Sequence, residues 1–327
     1  MKKRLLALLL GGVLGLFALS GCGKPDTVYL DVFMPDGAPA LVMAKLMHDE
    51  NQLGRENVRY TVTAAGSISE PVIQREAAFV LMPVNAATLV AGSGEAYKLI
   101  SVNTHGNLYI IGRGGAATLE SLADDKASLA VVNLSNVPGL TLRHILDKKG
   151  IAYSTDGTAV AGAAAYIKLH GIDAENLAGQ LEKTYDYVLA PEPAATTMTK
   201  KYGDVSILMD IQALYGGEYP QAVLLARSDV YEDAALVEAM LSALEAGEDA
   251  AWLANHISDA VTAVGAHMKD GAKSGISAGN MSAAVIENCN IRTLRTADAK
   301  AGVLAYVDRL IAVNPKAAAV PQDAFFG

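Results

Sequence analysis

The sequence predicts an α/β protein of two lobes with a helical C-terminal tail. Short apolar segments alternate with segments of helical spacing early in the chain, the alternation restarts after residue 113, and the chain beyond Asp229 is predicted to be nearly all helical. Strands that alternate with helices form parallel sheets with helices on their faces. At 327 residues, the chain is long enough for one large or two medium domains.

The chain begins with a predicted export signal. The basic residues Lys2-Lys3-Arg4 precede an apolar run over 5–19, which is followed by small residues. About 20 apolar residues are needed to cross the hydrocarbon core of a bilayer, so this run is too short for a retained membrane helix. Residues 1–21 are therefore predicted to be a signal peptide that is removed after translocation.

The signal ends in a motif for lipid attachment. Leu19-Ser20-Gly21-Cys22 resembles the bacterial lipobox, in which the cysteine is acylated, for example with palmitate, and becomes the first residue of the mature chain. Residues 22–26 then form a short polar tether. The sequence thus predicts a lipoprotein held by lipid on Cys22 at the extracytoplasmic face of the cell membrane. The alternative is an ordinary secretory signal that happens to contain a cysteine.

Charge and cysteine content restrict the partners. The chain has a formal net charge of -9, and removal of the basic signal peptide makes it more acidic. An acidic surface repels polyanions, so no nucleic-acid partner is expected. With Cys22 acylated, Cys289 has no intramolecular partner for a disulfide. Cys289 is predicted to be a buried apolar residue, with a reactive thiol as the alternative.

The first lobe is predicted from three strand–loop–helix units. Apolar, β-favouring runs over 27–34, 58–64 and 78–82 each end in a loop containing Gly, Ser, Pro or Asn, before a helical segment. Because these loops follow the carboxyl ends of parallel strands, we expect them to converge on one rim. Two extended segments follow, over 97–103 and 108–113.

The second lobe is predicted from a repeat of this pattern. A strand over 128–133 leads through a loop into a helix that ends at Lys149, and a strand that ends at Ala190 leads into a helix through Lys201. The predicted division is lobe 1 over 27–109 and 205–327, which includes the C-terminal helices, and lobe 2 over 110–204.

The sequence lacks the common catalytic motifs. It contains neither a G-x-S-x-G elbow nor an H-E-x-x-H helix, and its glycines lack the order of a P-loop or a dinucleotide fingerprint. Its six histidines are scattered. His48-Asp49-Glu50 is interpreted as a solvated helix end, because consecutive helical residues point in different directions. No catalytic residue, cofactor or metal site is predicted.

Small and neutral hydrogen-bonding residues instead follow the predicted strand ends. Helix N-termini at such loops offer free backbone N–H groups, which can hold an anionic or strongly polar ligand. Gly, Asn and Ser are also ordinary turn and cap residues, so each position taken alone fits a structural role equally well. The convergence of six loops on one cleft favours ligand binding over catalysis.

Several motifs together resemble one protein family. The lipobox and three further segments are similar to ABC-transporter solute-binding lipoproteins, of which the nitrate, sulfonate and thiamine-precursor (NitT/TauT-like) type is the closest group. The three segments are Met34-Pro35-Asp36-Gly37-Ala38-Pro39-Ala40-Leu41, Ser121-Leu122-Ala123-Asp124-Asp125-Lys126 and Ala190-Pro191-Glu192-Pro193-Ala194. Tyr219-Pro220-Gln221-Ala222 and Asn288-Cys289-Asn290-Ile291-Arg292 are similar to uncharacterised members of that group. The resemblance covers nearly the whole mature chain.

This resemblance implies a two-lobe, periplasmic-binding-protein-like (type II) fold. The lobes of a monomer would close on a small polar organic molecule or anion and deliver it to an ABC permease driven by a cytoplasmic ATPase. By position, the ligand-facing residues of the first lobe are Gly37, Ala38, Ser67, Asn85 and Asn103, and those of the second lobe are Asn133, Ser135, Thr141 and Glu192.

Ligand chemistry and function stay open at the level of sequence. No arginine stands in the candidate loops, which argues against a dianion gripped by bidentate contacts. Glu192 either meets an amine or ring N–H of the ligand or stabilises the first turn of the next helix. Tyr215 and Tyr219 either stack on a heterocycle or pack against the sheet. The alternatives to solute binding are a secreted enzyme on the same fold, acting on a small metabolite, and a structural or adhesive lipoprotein.

Overall fold

The computed structural model describes residues 29–50, 52–54, 57–177, 179–183, 185–247 and 250–327. The predicted signal peptide over 1–21 and the tether over 22–26, with the lipidation site Cys22, lie outside the described residues. Within the described part of the chain, no helix has both the length and the apolar character needed to cross a membrane.

The described residues form twelve strands, which belong to two sheets. In chain order the strands are β1 (Tyr29–Pro35), β2 (Asn57–Thr63), β3 (Phe79–Pro83), β4 (Tyr97–Thr104), β5 (Leu108–Arg113), β6 (Ser128–Val132), β7 (Tyr153–Ser154), β8 (Ile167–Ile172), β9 (Tyr187–Pro191), β10 (Val205–Asp210), β11 (Ala222–Arg227) and β12 (Ile291–Arg295).

Helices connect these strands and cover the sheets. In chain order they are α1 (Ala38–Val42), α2 (Ala44–His48), α3 (Glu70–Ile73), α4 (Val84–Ala91), α5 (Leu119–Asp124), α6 (Val137–Lys149), α7 (Gln180–Lys183), α8 (Ala194–Lys201), α9 (Ile211–Tyr215), α10 (Ser228–Tyr231), α11 (Ala234–Gly247), α12 (Ala250–Asn255), α13 (Ile257–Ala266), α14 (Ala283–Asn288) and α15 (Thr296–Val313).

The first sheet has the strand order β2-β1-β3-β11-β4-β12. β1 runs parallel to β2 and β3, whereas β11 is antiparallel to β3 and β4. β3 is covered on both faces, since Phe79 and its three successors are fully buried, which explains an apolar run without alternation. The carboxyl ends of β1, β2 and β3 therefore lie along one edge of the sheet.

The second sheet has the strand order β10-β5-β9-β6-β8-β7. β6 runs parallel to β8 and β9, whereas β5 is antiparallel to β9 and β10. The two sheets share one arrangement, in which a block of parallel strands is followed by an antiparallel strand. The block is β2, β1 and β3 in the first sheet and β7, β8, β6 and β9 in the second. That antiparallel strand, β5 or β11, is in each sheet the first strand formed after the chain has crossed from the other lobe. The predicted class, an α/β fold of two lobes with a C-terminal helix, is confirmed.

The strand pairing corrects the predicted division at one boundary. Residues 205–327 were predicted to belong to the first lobe, but β10 pairs with β5 and so belongs to the second sheet. The chain returns to the first lobe only after α9, over 216–221. The residue pattern of a strand such as β10 does not specify which sheet it joins, because tertiary contacts determine its pairing.

Three strands were not predicted. β7, which has two residues, forms an edge of the second sheet beside β8. β8 lies second from one edge of its sheet, and β12 forms the other sheet's edge beside β4. β12 also interrupts the C-terminal region that the sequence predicted to be nearly all helical. Its five residues are all half-buried or exposed, so it lacks the strong apolar pattern of an inner strand.

One hydrophobic cluster contains side chains of both lobes. It includes Val80 and Val223 from the first sheet and Leu129 and Leu189 from the second. α15 contributes Tyr306 to the same cluster and packs against α6 of the second lobe. The hydroxyl of Tyr306 lies 2.5 Å from Thr141 Oγ1, which itself donates to the carbonyl oxygen of Val137. The lobes are therefore joined by packing as well as by the two chain crossings.

His105 lies on the first crossing, between β4 and β5, and is 4% exposed. Its Nε2 donates to the carbonyl oxygen of Arg292 at 2.8 Å. Burial, and then the charge of Arg292, lower the pKa of His105 below its ordinary value of 6.5.

We expect the free energy of unfolding to fall as the pH drops below about 6.5, because the unfolded chain then protonates His105 while the folded chain resists protonation. One such group contributes a slope of at most about 1.4 kcal/mol per pH unit. Urea unfolding of the wild type and of His105→Gln between pH 7.5 and 5.5 measures this contribution, and the variant should show the smaller slope. Equal slopes would contradict the prediction.

Candidate functional site

Two adjoining cavities lie between the lobes, with volumes of about 110 and 480 Å³. Residues at the ends of β1, β2 and β3 line them from the first lobe, and residues that follow β6, β8 and β9 line them from the second. Six loops therefore converge on one cleft. The residues common to both cavities are Asp36, Gly37, Ala65, Val132, Pro191 and Glu192.

The loop after β1 forms the first-lobe wall. Gly37 has φ 99° and ψ -149°, a conformation that favours glycine, and a side chain there would meet no atom within 4 Å. Asp36 Oδ1 accepts from Ser274 Oγ at 2.7 Å, and its Oδ2 accepts from the backbone N–H of Gly275 at 2.6 Å. Asp36 is thus fixed by a distant segment of the chain and lines both cavities.

That distant segment, 268–276, contributes a side of the larger cavity. It follows α13 and is joined to the first lobe by a bridge between Met268 and Val62. Farther along, Asn280 Nδ2 donates to Thr197 Oγ1 of α8 at 2.6 Å, and Lys200 Nζ donates to the carbonyl oxygen of Gly279 at 3.1 Å. These two hydrogen bonds link the lobes beside the cavity.

Glu192 forms the second-lobe wall and is 1% exposed. Its Oε2 accepts from the backbone N–H of Thr196 at 3.0 Å and its Oε1 accepts from Thr196 Oγ1 at 2.7 Å. Glu192 therefore stabilises the first turn of α8, as one of the two sequence interpretations holds, and it also lines both cavities. Burial, and then the charges of Asp210 and Glu192, raise the pKa of the nearby Tyr109 hydroxyl.

Asn107 and Gln221 lie where the two crossings pass the smaller cavity. Gln221 Nε2 donates to Asn107 Oδ1 at 2.5 Å, and the backbone N–H of Asn107 donates to Gln221 Oε1 at 3.1 Å. Asn107 Nδ2 also donates to the carbonyl oxygen of Glu192 at 3.1 Å. This network connects the two crossings to the second-lobe wall. Neither amide was predicted to be a site residue. Both lie on segments where the chain passes between the lobes, and this position could have indicated them.

Four of the nine predicted ligand-facing residues line the cavities. They are Gly37, Ala38, Asn133 and Glu192. Ser67 and Ser135 are exposed and lie outside both linings, where their neighbours Ala65, Asn133 and Asn136 stand instead. The loops were placed correctly, but the side chains that face inward were not all identified.

The other three predicted residues are buried in structural contacts. Asn85 Nδ2 donates to Asn136 Oδ1 across the lobes at 3.2 Å. Asn103 Nδ2 donates to Thr293 Oγ1 at 2.9 Å, between β4 and β12. Thr141 is held by its bonds to Val137 and Tyr306. None of the three is part of either cavity lining, and the side chains of Asn103 and Thr141 are held by neighbouring protein atoms. The amide oxygen of Asn85 is buried without a hydrogen-bond partner among the described residues, so a ligand contact at Asn85 stays a prediction.

The structure also decides between the alternatives given above for Tyr215 and Tyr219 and for Cys289. Tyr219 stacks on Tyr306 with ring centroids 5.2 Å apart, and Tyr215 packs edge-on against Tyr219 at 5.0 Å. Both tyrosines thus pack against other aromatic side chains of the protein, Tyr219 fully buried and Tyr215 half-buried. Cys289 is fully buried, and burial raises the pKa of its thiol, as expected for an apolar core residue.

Comparison with solved structures identifies the fold. An ABC transporter protein from Parabacteroides distasonis superposes with a TM-score of 0.72 at 18% identity, over 92% of this chain and 99% of that chain. The alkanesulfonate-binding protein SsuA from Xanthomonas axonopodis pv. citri, bound to MOPS, gives a TM-score of 0.61 at 14% identity, over 89% and 96%.

A third similar structure is the ligand-binding component of an ABC-type import system from Staphylococcus aureus with zinc bound, with a TM-score of 0.60 at 12% identity over 91% and 96%. Comparison of the sequence with family models and with curated proteins finds no match. The chain therefore has the fold of the solute-binding proteins of ABC transporters.

Proposed function

We propose that this protein is the extracytoplasmic solute-binding component of an ABC importer. It is held at the membrane by lipid on Cys22, captures a small polar organic molecule or anion between its lobes as a monomer, and delivers it to a permease driven by a cytoplasmic ATPase. One observation carries the proposal: a cleft between two sheets is lined by loops that follow the carboxyl ends of three parallel strands of each sheet. Open α/β sheets bind their ligands at this edge.

The size and construction of the cleft support capture of a small molecule. The larger cavity of about 480 Å³ lies within the range of about 300–1,000 Å³ that is typical of small-molecule sites. Both lobes contribute to its lining, so a bound solute contacts both and stabilises their closed arrangement. Asp36, Asn133 and Glu192 supply polar groups on a largely apolar surface.

A ligand screen tests the proposal. We expect at least one compound among amino acids, amines, sulfonates, pyrimidines, vitamins and nitrate to raise the Tm of the purified chain, because a ligand at a hundred times its Kd adds about 2.7 kcal/mol of stability. Solution scattering should show a smaller radius of gyration with that compound than without it. Absence of any hit would contradict the proposal, and conversion of the hit into a product would instead support the enzyme alternative.

A further inference from the structure

The lining of the cleft is acidic. Asp36 and Glu192 each border both cavities, and they stand on different lobes. Lys273 is the one basic residue in the linings among the described residues, and it is exposed at the side of the larger cavity. From this arrangement, which rests on the proposed function, we infer that the ligand carries a positively charged nitrogen group that Asp36 and Glu192 hold from opposite sides.

Both carboxylates retain hydrogen-bonding capacity. A carboxylate oxygen can accept two hydrogen bonds, and each of the four oxygens accepts one from the protein. Those protein donors are Ser274, Gly275 and Thr196, which fix the two carboxylates in place. The remaining acceptor positions suit the several N–H donors of an ammonium, guanidinium or amidinium group.

Neither carboxylate is paired with a basic side chain among the described residues. The ion pairs of the described residues involve other acids, and neither Asp36 nor Glu192 takes part in one. Glu192 is 1% exposed, and a buried charge without an opposite partner is costly. A cationic group in the cleft offsets this cost, whereas an anionic group adds repulsion from two sides.

The positions of the two acids also couple binding to closure. Asp36 follows β1 of the first sheet, and Glu192 follows β9 of the second. Two negative charges that approach as the lobes close repel each other, so closure is less favourable without a cation between them. A ligand that neutralises both charges therefore binds the closed arrangement better than the open one, which is the requirement for a ligand to drive closure.

Three chain variants and a charge-matched set of compounds test this inference. The full-length chain in detergent is screened against the cations putrescine, agmatine, ethanolamine and choline, the neutral 1,4-butanediol, and the anions succinate, ethanesulfonate and nitrate. Zn²⁺ alone and the hits of the broader screen are tested in the same way. Calorimetry then gives the Kd of each hit for Asp36→Asn and Glu192→Gln. Asp210→Asn is the matched control, because Asp210 also accepts from backbone N–H groups of a helix start, in α9, but lies outside both linings.

We expect every hit to carry a positively charged nitrogen, and Asp36→Asn and Glu192→Gln each to weaken its binding about tenfold or more, because each removes a negative charge that faces the ligand. Asp210→Asn should bind as the wild type does. Tm values without ligand identify any variant that fails to fold. If one of the two acid variants does not fold, the inference is tested by the affinity of the other acid variant and by whether the wild type prefers cationic compounds.

Three results would overturn the inference. They are a hit without a positively charged nitrogen, unchanged affinity in both acid variants, and a Tm increase with Zn²⁺ alone that disappears in both. In the first two cases solute binding itself still stands. If no compound in any set binds, the proposed function fails as well.

Discussion

Replacing Tyr306 with Ala is expected to lower the free energy of unfolding by about 4 kcal/mol, the cost typical of deleting a large buried aromatic side chain. Tyr306 is 1% exposed and stacks on Tyr219 in the cluster that contains side chains of both lobes. Its removal leaves a cavity between α15 and α6, which cannot close without moving one lobe against the other. Urea unfolding followed by circular dichroism measures the change.

Tyr306→Phe is the matched control, because it keeps the ring and removes only the hydroxyl. Thr141 Oγ1 keeps its bond to the carbonyl oxygen of Val137 in that variant, so we expect a loss of about 1 kcal/mol. If the Ala variant were no less stable than the Phe variant, the ring would contribute nothing to the joint between the lobes, and the packing argument would be wrong.

A second large effect is expected at Gly139, in the first turn of α6. A Cβ at this position would lie 2.0 Å from the carbonyl oxygen of Leu134. That oxygen belongs to the backbone of the loop that carries Asn133 and Asn136 into the smaller cavity, so the contact cannot be relieved by a side-chain movement. We expect Gly139→Ala to destabilise the fold by about 3 kcal/mol and to weaken ligand binding, because the loop must shift.

Gly302 provides the control for this substitution. It also lies in a helix, α15, but it is exposed and a Cβ there meets no atom within 4 Å. Gly302→Ala should therefore raise stability by about 0.4–1 kcal/mol, since alanine loses less backbone entropy on folding. Thermal unfolding of both variants tests the pair, and a loss of similar size in the two would show that the contact with Leu134 is not responsible.

The sequence could predict where the site lies better than which side chains form it. Loops after parallel strands meet at one edge as a matter of topology, and β1, β3, β6 and β9 were all found from their apolar runs. Which residue of a loop faces the cleft depends on where the strand ends and how the next helix begins. Thus β3 ends at Pro83, which lines the cavity, while Asn85 is already inside α4 and bonds to Asn136.

Contacts between distant parts of the chain were outside the reach of sequence patterns. Ser274 and Gly275 belong to a segment without helical or strand periodicity, and only the folded structure brings them to Asp36. The predicted ligand-facing residues include Gly37 and Ala38 but not Asp36, and an aspartate before a glycine is an ordinary turn residue. Its significance depends on a partner more than two hundred residues away along the chain.

The strand order also has a consequence for how the protein is made. β11 separates β3 from β4, so the first sheet stays in two pieces until the ribosome has synthesised Ala222–Arg227. The strands of the second sheet lie within a continuous stretch that ends at β10 and is complete earlier. A nascent chain that stops before β11 thus contains every strand of the second lobe, whereas the sheet of the first lobe is still incomplete. The lobe that begins first along the chain is therefore the last to have all its strands.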